Sequence, residues 1–453
     1  MAELTIYRGN NQIGGCCTEL SAGGKRILLD FGANLPDCDS PITDDMLIEQ
    51  VFDGRSTEAV LFSHPHGDHY GLYQKVPQRD ESIPMYIGPL AKEILKTLTK
   101  RLDFVRHENG LPIVERMRTY RSGQVIDDIS GFRVTPLRTD HSAPDAYMFF
   151  IEVEGKRILF TGDFREHGVL GENDGVWEAL HSVPKGIDLL ITEGTMLSRT
   201  TEARHNPIQT EAELGAAAGK LFRERKYNFV LVSSTNLDSM MEFYQNTPPE
   251  QHFVCDAYQA ELMLTAMADM ADRSAIYRPS PVHPVIRVLG LPNVWEKQCG
   301  HLPELAGQLG VDVEFRPVTS EELYRDGFVM PVRKTQKPNR KTTFQNMLGK
   351  FFRTGNSQII YSMWKEYLPG GSHPDRELAH FLNGQPVVQL HTSGHAYVET
   401  IVRLIETVEP KRVVPMHTEH ATAFTELPEL AAYRARIRTL QDGKTYTLSE
   451  LDA

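Results

Sequence analysis

The sequence predicts an α/β fold in which two sheets pack on each other with helices outside, interrupted by a separate unit of alternating strands and helices. Three observations predict it. The first two hundred residues are rich in short apolar strands, strand and helix alternate from about residue 199, and the chain then returns to strand and helix near its end. Because 453 residues are many for one core, two domains are expected.

The composition is that of a globular protein in water. Hydrophobic residues make up 40% and charged residues 24% of the chain, and no apolar run approaches the length of a membrane span. The start, Met-Ala-Glu-Leu-Thr, lacks the pattern of a secretory signal. Five cysteines without a Cys-x-x-Cys pair indicate neither a disulfide framework nor a thiolate zinc site. We therefore expect a cytoplasmic protein with no membrane partner.

The elements of the first part follow from apolar patterning and turn residues. The expected strands are 4–7, 16–20, 26–31, 59–62, 132–137, 147–153, 157–160 and 189–192, and helices are expected at 43–48 and 89–98. The Gly23-Gly24 pair between two apolar runs predicts a hairpin.

The later elements predict a parallel α/β unit and then a return to the first architecture. Helices are expected at 211–225, 237–244 and 259–270, with strands at 228–232 and 252–255. A strand at 386–390, a helix at 396–407 and a strand at 412–416 follow. The predicted domains are residues 1–198, an insert at 199–377, and a returning segment at 378–453.

The densest cluster of metal-type side chains directly follows the strand predicted at 59–62. His64, His66, Asp68 and His69 fall within six residues. A packed core has little use for such a cluster, because each buried polar group needs its own partner. A ligand loop at the carboxyl end of a buried strand is also where α/β proteins place their sites. The sequence therefore predicts a metal site here.

Similar residues follow later predicted strands. His141, Asp163 and His417 each come directly or shortly after one, and with the first cluster they give seven nitrogen or oxygen ligands. That number suits two divalent ions that share a carboxylate. Imidazole and carboxylate ligands without thiolate indicate catalytic zinc, with manganese as the alternative.

Two sets of motifs carry a family resemblance. The order His-x-His-x-Asp-His at 64–69, then His141 and Thr-Gly-Asp163, resembles the metallo-β-lactamase superfamily, in which Asp30 matches a supporting acidic position. Three further motifs resemble those of the β-CASP nucleases. They are Thr192-Glu193-Gly194-Thr195, His391-Thr392-Ser393-Gly394-His395 and Pro415-Met416-His417. Within that group the chain is most similar to RNase J-like ribonucleases.

The resemblance implies a metallo-β-lactamase αββα sandwich with an inserted α/β β-CASP domain, and an active site in the cleft between them. It implies a ribonuclease with two zinc ions that hold a hydroxide for in-line attack on phosphorus. His395 would be the general acid and Glu193 would orient it. The loop of His391, Thr392, Ser393 and Gly394 would bind the phosphate at a helix start. The expected partner is RNA, because His417 at the third motif goes with RNA substrates. Endonuclease and 5′–3′ exonuclease action both stay open, as does a homo-oligomer.

The sequence differs from RNase J at several positions, and three other functions are considered. Gln12 stands where RNase J usually carries Glu, Glu193 stands where it commonly has Asp, and its extra C-terminal domain is not expected here. The alternatives are a DNA nuclease, a lactone or thioester hydrolase of the same superfamily, and a scaffold that no longer cleaves. Glu193, His395 and His417 argue against the small-molecule hydrolase, and the full ligand set argues against the scaffold.

One stretch has a composition unlike the rest of the chain. Residues 327–365 hold no Asp or Glu but eight Lys or Arg, although the net charge of the protein is −12. The stretch is either a solvated loop or a local contact for an RNA backbone, because local charge matters more than the total.

Overall fold

The protein divides into two compact units in this computed structural model, which describes residues 1–35, 40–106, 109–290, 295–334 and 343–452. The first unit is Met1–Asn206 with Gly394–Ala453, and the second is Pro207–Ser393. The domain boundaries at 198/199 and 377/378 stay predictions. Lys337, Arg340 and Lys341 of the basic stretch lie outside the described residues.

The secondary structure is mixed throughout. Up to Asn206 the strands are β1 Glu3–Arg8, β2 Cys17–Ala22, β3 Lys25–Leu29, β4 Ala59–Leu61, β5 Met85–Ile87, β6 Arg118–Thr119, β7 Arg133–Thr139, β8 Ala146–Val153, β9 Lys156–Phe160 and β10 Leu189–Glu193, and the helices are α1 Asp44–Val51, α2 Gly67–Tyr70, α3 Lys75–Arg79, α4 Pro89–Arg106, α5 Leu111–Arg116, α6 Gly175–Leu180 and α7 Thr200–His205. The second unit has strands β11 Tyr227–Leu231, β12 His252–Asp256, β13 Val285–Leu289, β14 Glu314–Pro317, β15 Phe328–Val332, β16 Ser357–Tyr361 and β17 Val388–Gln389, and helices α8 Glu211–Glu224, α9 Leu237–Gln245, α10 Ala257–Met270, α11 Trp295–Cys299, α12 His301–Leu309, α13 Ser320–Asp326, α14 Thr343–Phe352 and α15 Arg376–Leu382. The returning segment has β18 Arg412–Met416, β19 Thr445–Thr447, α16 Val398–Val408, α17 Ala423–Glu426 and α18 Leu448–Asp452.

The first unit is a sandwich of two sheets. One sheet has the order β19-β1-β2-β3-β4-β5-β6 and the other has the order β18-β10-β9-β8-β7. Their facing sides share one core, to which Ile27 and Leu61 contribute from the first sheet and Phe149 and Ile191 from the second. Successive side chains of a strand point to opposite faces of the sheet. Here the outward-facing ones are apolar too, such as Leu28 and Val60 in the first sheet and Leu159 and Leu190 in the second.

Helices cover both outer faces of the sandwich. On the first sheet, α1 and α4 supply Leu47 and Leu95 to an outer core. On the second sheet, α6 and α16 supply Trp177 and Leu404 to another. The result is the αββα arrangement that the sequence predicts. The predicted hairpin is confirmed, because β2 and β3 pair antiparallel and both residues of the Gly23-Gly24 turn have positive φ, 59° and 78°.

The second unit is a parallel α/β sheet in the order β14-β13-β12-β15-β11-β16-β17. Capping boxes start three of its described helices, with Thr210 and Glu213 at α8, Asp256 and Gln259 at α10, and Thr319 and Glu322 at α13. Phe351 of the basic stretch is buried in its core rather than exposed to a partner. None of the helices in the described part of either unit combines the length and apolar character that crossing a bilayer demands.

Candidate metal centre

The predicted ligands converge on one oxygen of Asp163. Its Oδ2 lies 3.2 Å from Nε2 of His69, 3.6 Å from Nε2 of His417, 3.8 Å from Nε2 of His64, 3.9 Å from Nε2 of His141 and 3.7 Å from Nδ1 of His395. Asp163 is 2% exposed, so this carboxylate sits among imidazoles rather than in water. A carboxylate in this position can serve more than one ion.

The remaining two predicted ligands, His66 and Asp68, lie beside different members of the cluster. Nδ1 of His66 lies 3.1 Å from Nε2 of His141, so these nitrogens face the same point. Oδ2 of Asp68 lies 3.4 Å from Nε2 of His417 and 3.9 Å from Nε2 of His69. All seven ligands predicted from the sequence therefore meet within the first unit.

Strand direction explains why residues so distant in the chain meet. β9, β10 and β18 are parallel neighbours, and β7 runs in the same direction because two antiparallel pairings separate it from β9. The carboxyl ends of these strands thus lie at one edge of the sheet. Asp163, His141 and His417 follow β9, β7 and β18, and Glu193 is the last residue of β10.

Asp30 fixes two of the imidazoles at once. It accepts from Nδ1 of His69 at 2.7 Å and from the hydroxyl of Ser63 at 2.8 Å. Because Ser63 gives its only proton to Asp30, its oxygen must accept from Nδ1 of His64, 3.0 Å away. Both rings therefore use Nδ1 as a donor and direct Nε2 to the cluster, which leaves Nε2 as the nitrogen that would bind a metal.

The other two ring orientations are fixed in the same manner. Thr195 donates its hydroxyl proton to the carbonyl of His417 at 3.1 Å and accepts from Nδ1 of His417 at 2.7 Å. Nδ1 of His141 donates to the carbonyl of Gly394 at 2.5 Å. Each bond again leaves Nε2 facing Asp163. Neither Ser63 nor Thr195 is predicted to have a role from sequence, although Ser63 directly precedes His64 and Thr195 lies two residues after Glu193.

One supporting residue and one candidate ligand have a backbone conformation that residues other than glycine usually avoid. Asp30 has φ of 61° and His417 has φ of 49°, both in the left-handed region. Such conformations persist only where the surrounding structure holds them, and they concentrate at functional sites. They place the two side chains where the hydrogen bonds described above require them.

Burial and neighbouring charges set the protonation of the cluster. Burial lowers the pKa of His66 to about 4, and burial together with the neighbouring imidazoles holds the pKa of His64 well below its ordinary value. Burial alone would raise the pKa of Asp68, but His69 and His417 beside it bring that pKa below its ordinary value. Asp163, Asp30 and Asp68 instead raise the pKa of His69 well above its ordinary value, against the effect of burial. A divalent cation would have to displace that proton, whereas His64 and His66 already favour the neutral form that binds a metal.

His395 is the imidazole of this cluster that contacts Glu193. Its Nδ1 lies 3.0 Å from Oε2 of Glu193, which is fully buried and also accepts from the backbone N–H of Phe164 at 2.9 Å. Burial acts to lower the pKa of His395, but Glu193 and Asp163 overcome it and raise the pKa to about 9. Glu193 and Asp163 thus favour the protonated form of the ring, which is the form that a general acid needs.

The side chains fit a metal centre by a test independent of any family. Among the described residues, Nε2 of His64 and Oδ1 of Asp163 are buried polar atoms that make no hydrogen bond. Burying such atoms is costly unless something else satisfies them. His64, His66 and His141 form one group able to hold an ion, and His64, His69 and Asp163 form another that overlaps it.

The predicted phosphate loop differs from expectation in one respect. The following helix begins at Val398 with Tyr397 as its N-cap, so the loop ending at His395 does not itself start the helix. The N–H of Ala396 lies 3.4 Å from Oε1 of Glu193. His391, Thr392 and Ser393 belong to the second unit and Gly394 to the first. The substrate-binding role of these four residues stays a prediction.

Two family models match the chain. Residues 26–229 match the model described as a beta-lactamase superfamily domain, and residues 382–438 match the one described as a Zn-dependent metallo-hydrolase RNA specificity domain. The second match contains both His395 and His417. These matches confirm the resemblance and the fold class predicted from the sequence.

Curated relatives are ribonucleases by name. The chain is 27% identical over 57% of its length to Endoribonuclease YSH1 of Mycosarcoma maydis, 32% over 41% to Endoribonuclease ysh-1 of Neurospora crassa, and 28% over 43% to an RNase J-like protein of Methanocaldococcus jannaschii. It spans 30%, 23% and 43% of the length of these relatives. A solved structure of a protein of unknown function from Enterococcus faecalis V583, 22% identical, has a TM-score of 0.68 over 98% of this chain and 99% of that chain, and thus shares its fold.

Proposed function

We propose that this chain, with its beta-lactamase superfamily domain and its metallo-hydrolase RNA specificity domain, is a ribonuclease that hydrolyses RNA phosphodiester bonds at a centre for two zinc ions. The observation that carries the proposal is the position of Asp163, whose Oδ2 lies within 3.9 Å of a ring nitrogen of five histidines. A single ion has no need of so many ligands, since zinc is usually four-coordinate in proteins.

The ligands separate naturally into two sets around that carboxylate. His64, His66 and His141 would hold one ion, and Asp68, His69 and His417 would hold the other. Bound divalent ions would supply an acidified water as nucleophile and would neutralise charge on the phosphate oxygens. Manganese is the alternative metal, because imidazole and carboxylate ligands accept both.

Two residues of the chain, His395 and Glu193, would supply the proton that the leaving oxygen needs. His395 would give a proton from Nε2 to the departing 3′ oxygen, since its Nδ1 is held by Glu193. Glu193 would keep the ring protonated through its buried negative charge and would orient it through the 3.0 Å hydrogen bond. Without an acid at this position the leaving alkoxide would depart unprotonated, which raises the barrier.

RNA is the proposed substrate because the segment that carries the acid matches an RNA specificity domain and the named relatives are ribonucleases. The test is to incubate the purified protein with single-stranded RNA and DNA of the same sequence, each labelled at its 5′ end. The expected result is cleavage of RNA that a chelator abolishes and that added zinc or manganese restores.

The products separate the remaining alternatives. Internal fragments indicate endonuclease action, and release of the labelled mononucleotide indicates 5′–3′ exonuclease action. Faster cleavage of DNA than of RNA would show that the protein is a DNA nuclease. If neither polymer is cleaved but a lactone or thioester is, the small-molecule hydrolase is the right function. Binding of RNA without any metal-dependent reaction would favour the scaffold.

A further inference from the structure

Arg8 lies in the first sheet with its side chain wholly buried, 0% exposed. Its guanidinium donates to the carbonyl of Gly15 at 2.8 Å and to the carbonyl of Gly32 at 2.6 Å. It also donates to the carbonyl of Ile42 at 3.1 Å and to Asp44 at 2.8 Å. Most of the hydrogen bonds of this buried arginine therefore go to backbone carbonyls of two loops. Its carboxylate partner, Asp44, is partly exposed, at 36%.

The two loops that Arg8 holds are the ones that contact the segment bearing Asp68 and His69. The N–H of Cys16 donates to the carbonyl of Asp68 at 2.9 Å, and the N–H of Phe31 donates to the carbonyl of His69 at 2.8 Å. The loops are also joined to each other, because the N–H of Gly32 donates to the carbonyl of Cys16 at 2.9 Å. Arg8 therefore bonds the backbone of two loops, and those loops bond the backbone of Asp68 and His69.

The packing between these loops and Asp68 leaves no room for adjustment. A Cβ on Gly32 would lie 1.7 Å from the carbonyl oxygen of Asp68, and a Cβ on Gly14 would lie 3.0 Å from Oδ2 of Asp68. A shift of the loop at Gly32 would therefore move the backbone of Asp68, and a shift of the loop at Gly14 would move its carboxylate. The planar guanidinium has five donors in a fixed geometry, so it can hold two carbonyls at a set separation.

The other ligand set has different supports. Ser63 holds His64 and is bonded in turn to Asp30, whose own N–H donates to the carbonyl of Leu61 at 2.9 Å rather than bonding a group that Arg8 contacts. The carbonyl of Gly394 holds His141. We propose that Arg8 is the positioning residue for one half of the centre, the ion held by Asp68, His69 and His417, and not for the half held by His64, His66 and His141. This inference rests on the proposed two-ion centre.

The test measures metal binding by the full chain, without RNA. Metal-free wild type and Arg8→Met are titrated with Co²⁺, whose visible absorption reports each ion as it binds, and the bound metal is then counted after dialysis. The variant is expected to bind one ion as wild type does and the other about 10–100-fold more weakly, the usual effect of losing a residue that supports a ligand. Amide exchange at Cys16 and Phe31 should become faster.

Arg26→Met is the matched control for a general loss of stability. Arg26 is also buried, at 1% exposed, and donates to Glu19, Thr57 and the carbonyl of Val51, none of which contacts the metal cluster. It should lose stability but keep both ion affinities. Asp44→Asn is a second control, because it leaves the bonds from Arg8 to Gly15 and Gly32 in place, and it too should bind two ions.

The outcomes are distinct. Equal weakening of both ions in Arg8→Met, or two ions bound with wild-type affinity, would overturn the role of Arg8. If Arg8→Met does not fold, Arg8→Lys keeps the charge but cannot bond both carbonyls, and the same selective loss is expected of it. A wild-type protein that binds a single ion would instead refute the two-ion centre of the proposed function.

Discussion

The Nδ1 of His141 donates a hydrogen bond to the carbonyl oxygen of Gly394 across 2.5 Å, so a predicted metal ligand is bonded to the residue next to the predicted general acid. The two residues are 253 positions apart in the chain. The bond fixes the tautomer of His141 and at the same time anchors the loop that carries His395. Metal binding and placement of the acid therefore share one contact.

Gly394→Ala should disturb that contact. A Cβ at this position would lie 2.6 Å from Oγ and 3.1 Å from Cβ of Ser142, so the two loops would have to move apart. Cleavage of labelled RNA should slow by about 10–100-fold, because small displacements of catalytic groups have effects of this size. The double variant Gly394→Ala with Ser142→Gly removes the obstructing side chain and should recover most of the rate. Failure to recover would mean that the glycine matters for another reason.

The charge of Glu193 should be visible in the pH dependence of cleavage. A general acid works only while protonated, so the rate should fall as pH rises through the pKa of His395, which Glu193 and Asp163 raise to about 9 against the effect of burial. Glu193→Gln removes one raising charge. The alkaline limb of kcat should then move to lower pH by about 1–3 units. Glu224→Gln, on an exposed part of α8, is the matched control and should leave the limb in place.

Asp30→Asn should weaken metal binding without loss of the fold. Asn tolerates the left-handed backbone of Asp30. Its neutral amide, however, lacks the negative charge with which the carboxylate accepts from both Ser63 and Nδ1 of His69. Zinc affinity should fall about 10–100-fold in a competition titration with a chelator. Asp145→Asn is the matched control, because Asp145 is also buried with φ of 69° but bonds Tyr147 and the N–H of Ala91. Equal loss of affinity in both variants would contradict the role of Asp30.

The clustering of the seven candidate ligands was predictable from sequence, because metal chemistry restricts residue type and the carboxyl ends of parallel strands lie at one edge of a sheet. His64 to His69 form a dense cluster, His417 directly follows an apolar run, and Asp163 follows one after two residues. The supporting hydroxyls of Ser63 and Thr195 were not predictable, since a serine or threonine in a loop has many ordinary uses. Their roles appear only when the tautomers are traced through the hydrogen bonds.

The fold was predictable where periodicity is strong and uncertain where it is short. The helix expected at 211–225 is present as Glu211–Glu224, with a capping box at its start. The strand expected at 386–390 is only Val388–Gln389, an edge strand beside β16. An apolar run such as Pro386 to Leu390 predicts extended backbone, but pairing at a sheet edge depends on a neighbour that the local sequence does not reveal.

His395→Ala tests whether His395 acts as the general acid or as a metal ligand. His395 lies 3.7 Å from Oδ2 of Asp163, close enough to be mistaken for a metal ligand, yet its Nδ1 is held by Glu193 at 3.0 Å. If it is the acid, cleavage should fall by about 10²–10⁴-fold while the metal content measured by mass spectrometry stays at the wild-type value. His205→Ala, an exposed histidine bonded to the carbonyl of Thr201, controls for loss of an imidazole and should change neither quantity. A drop in bound metal with His395→Ala would make the residue a ligand, and the source of the leaving-group proton would have to be sought elsewhere.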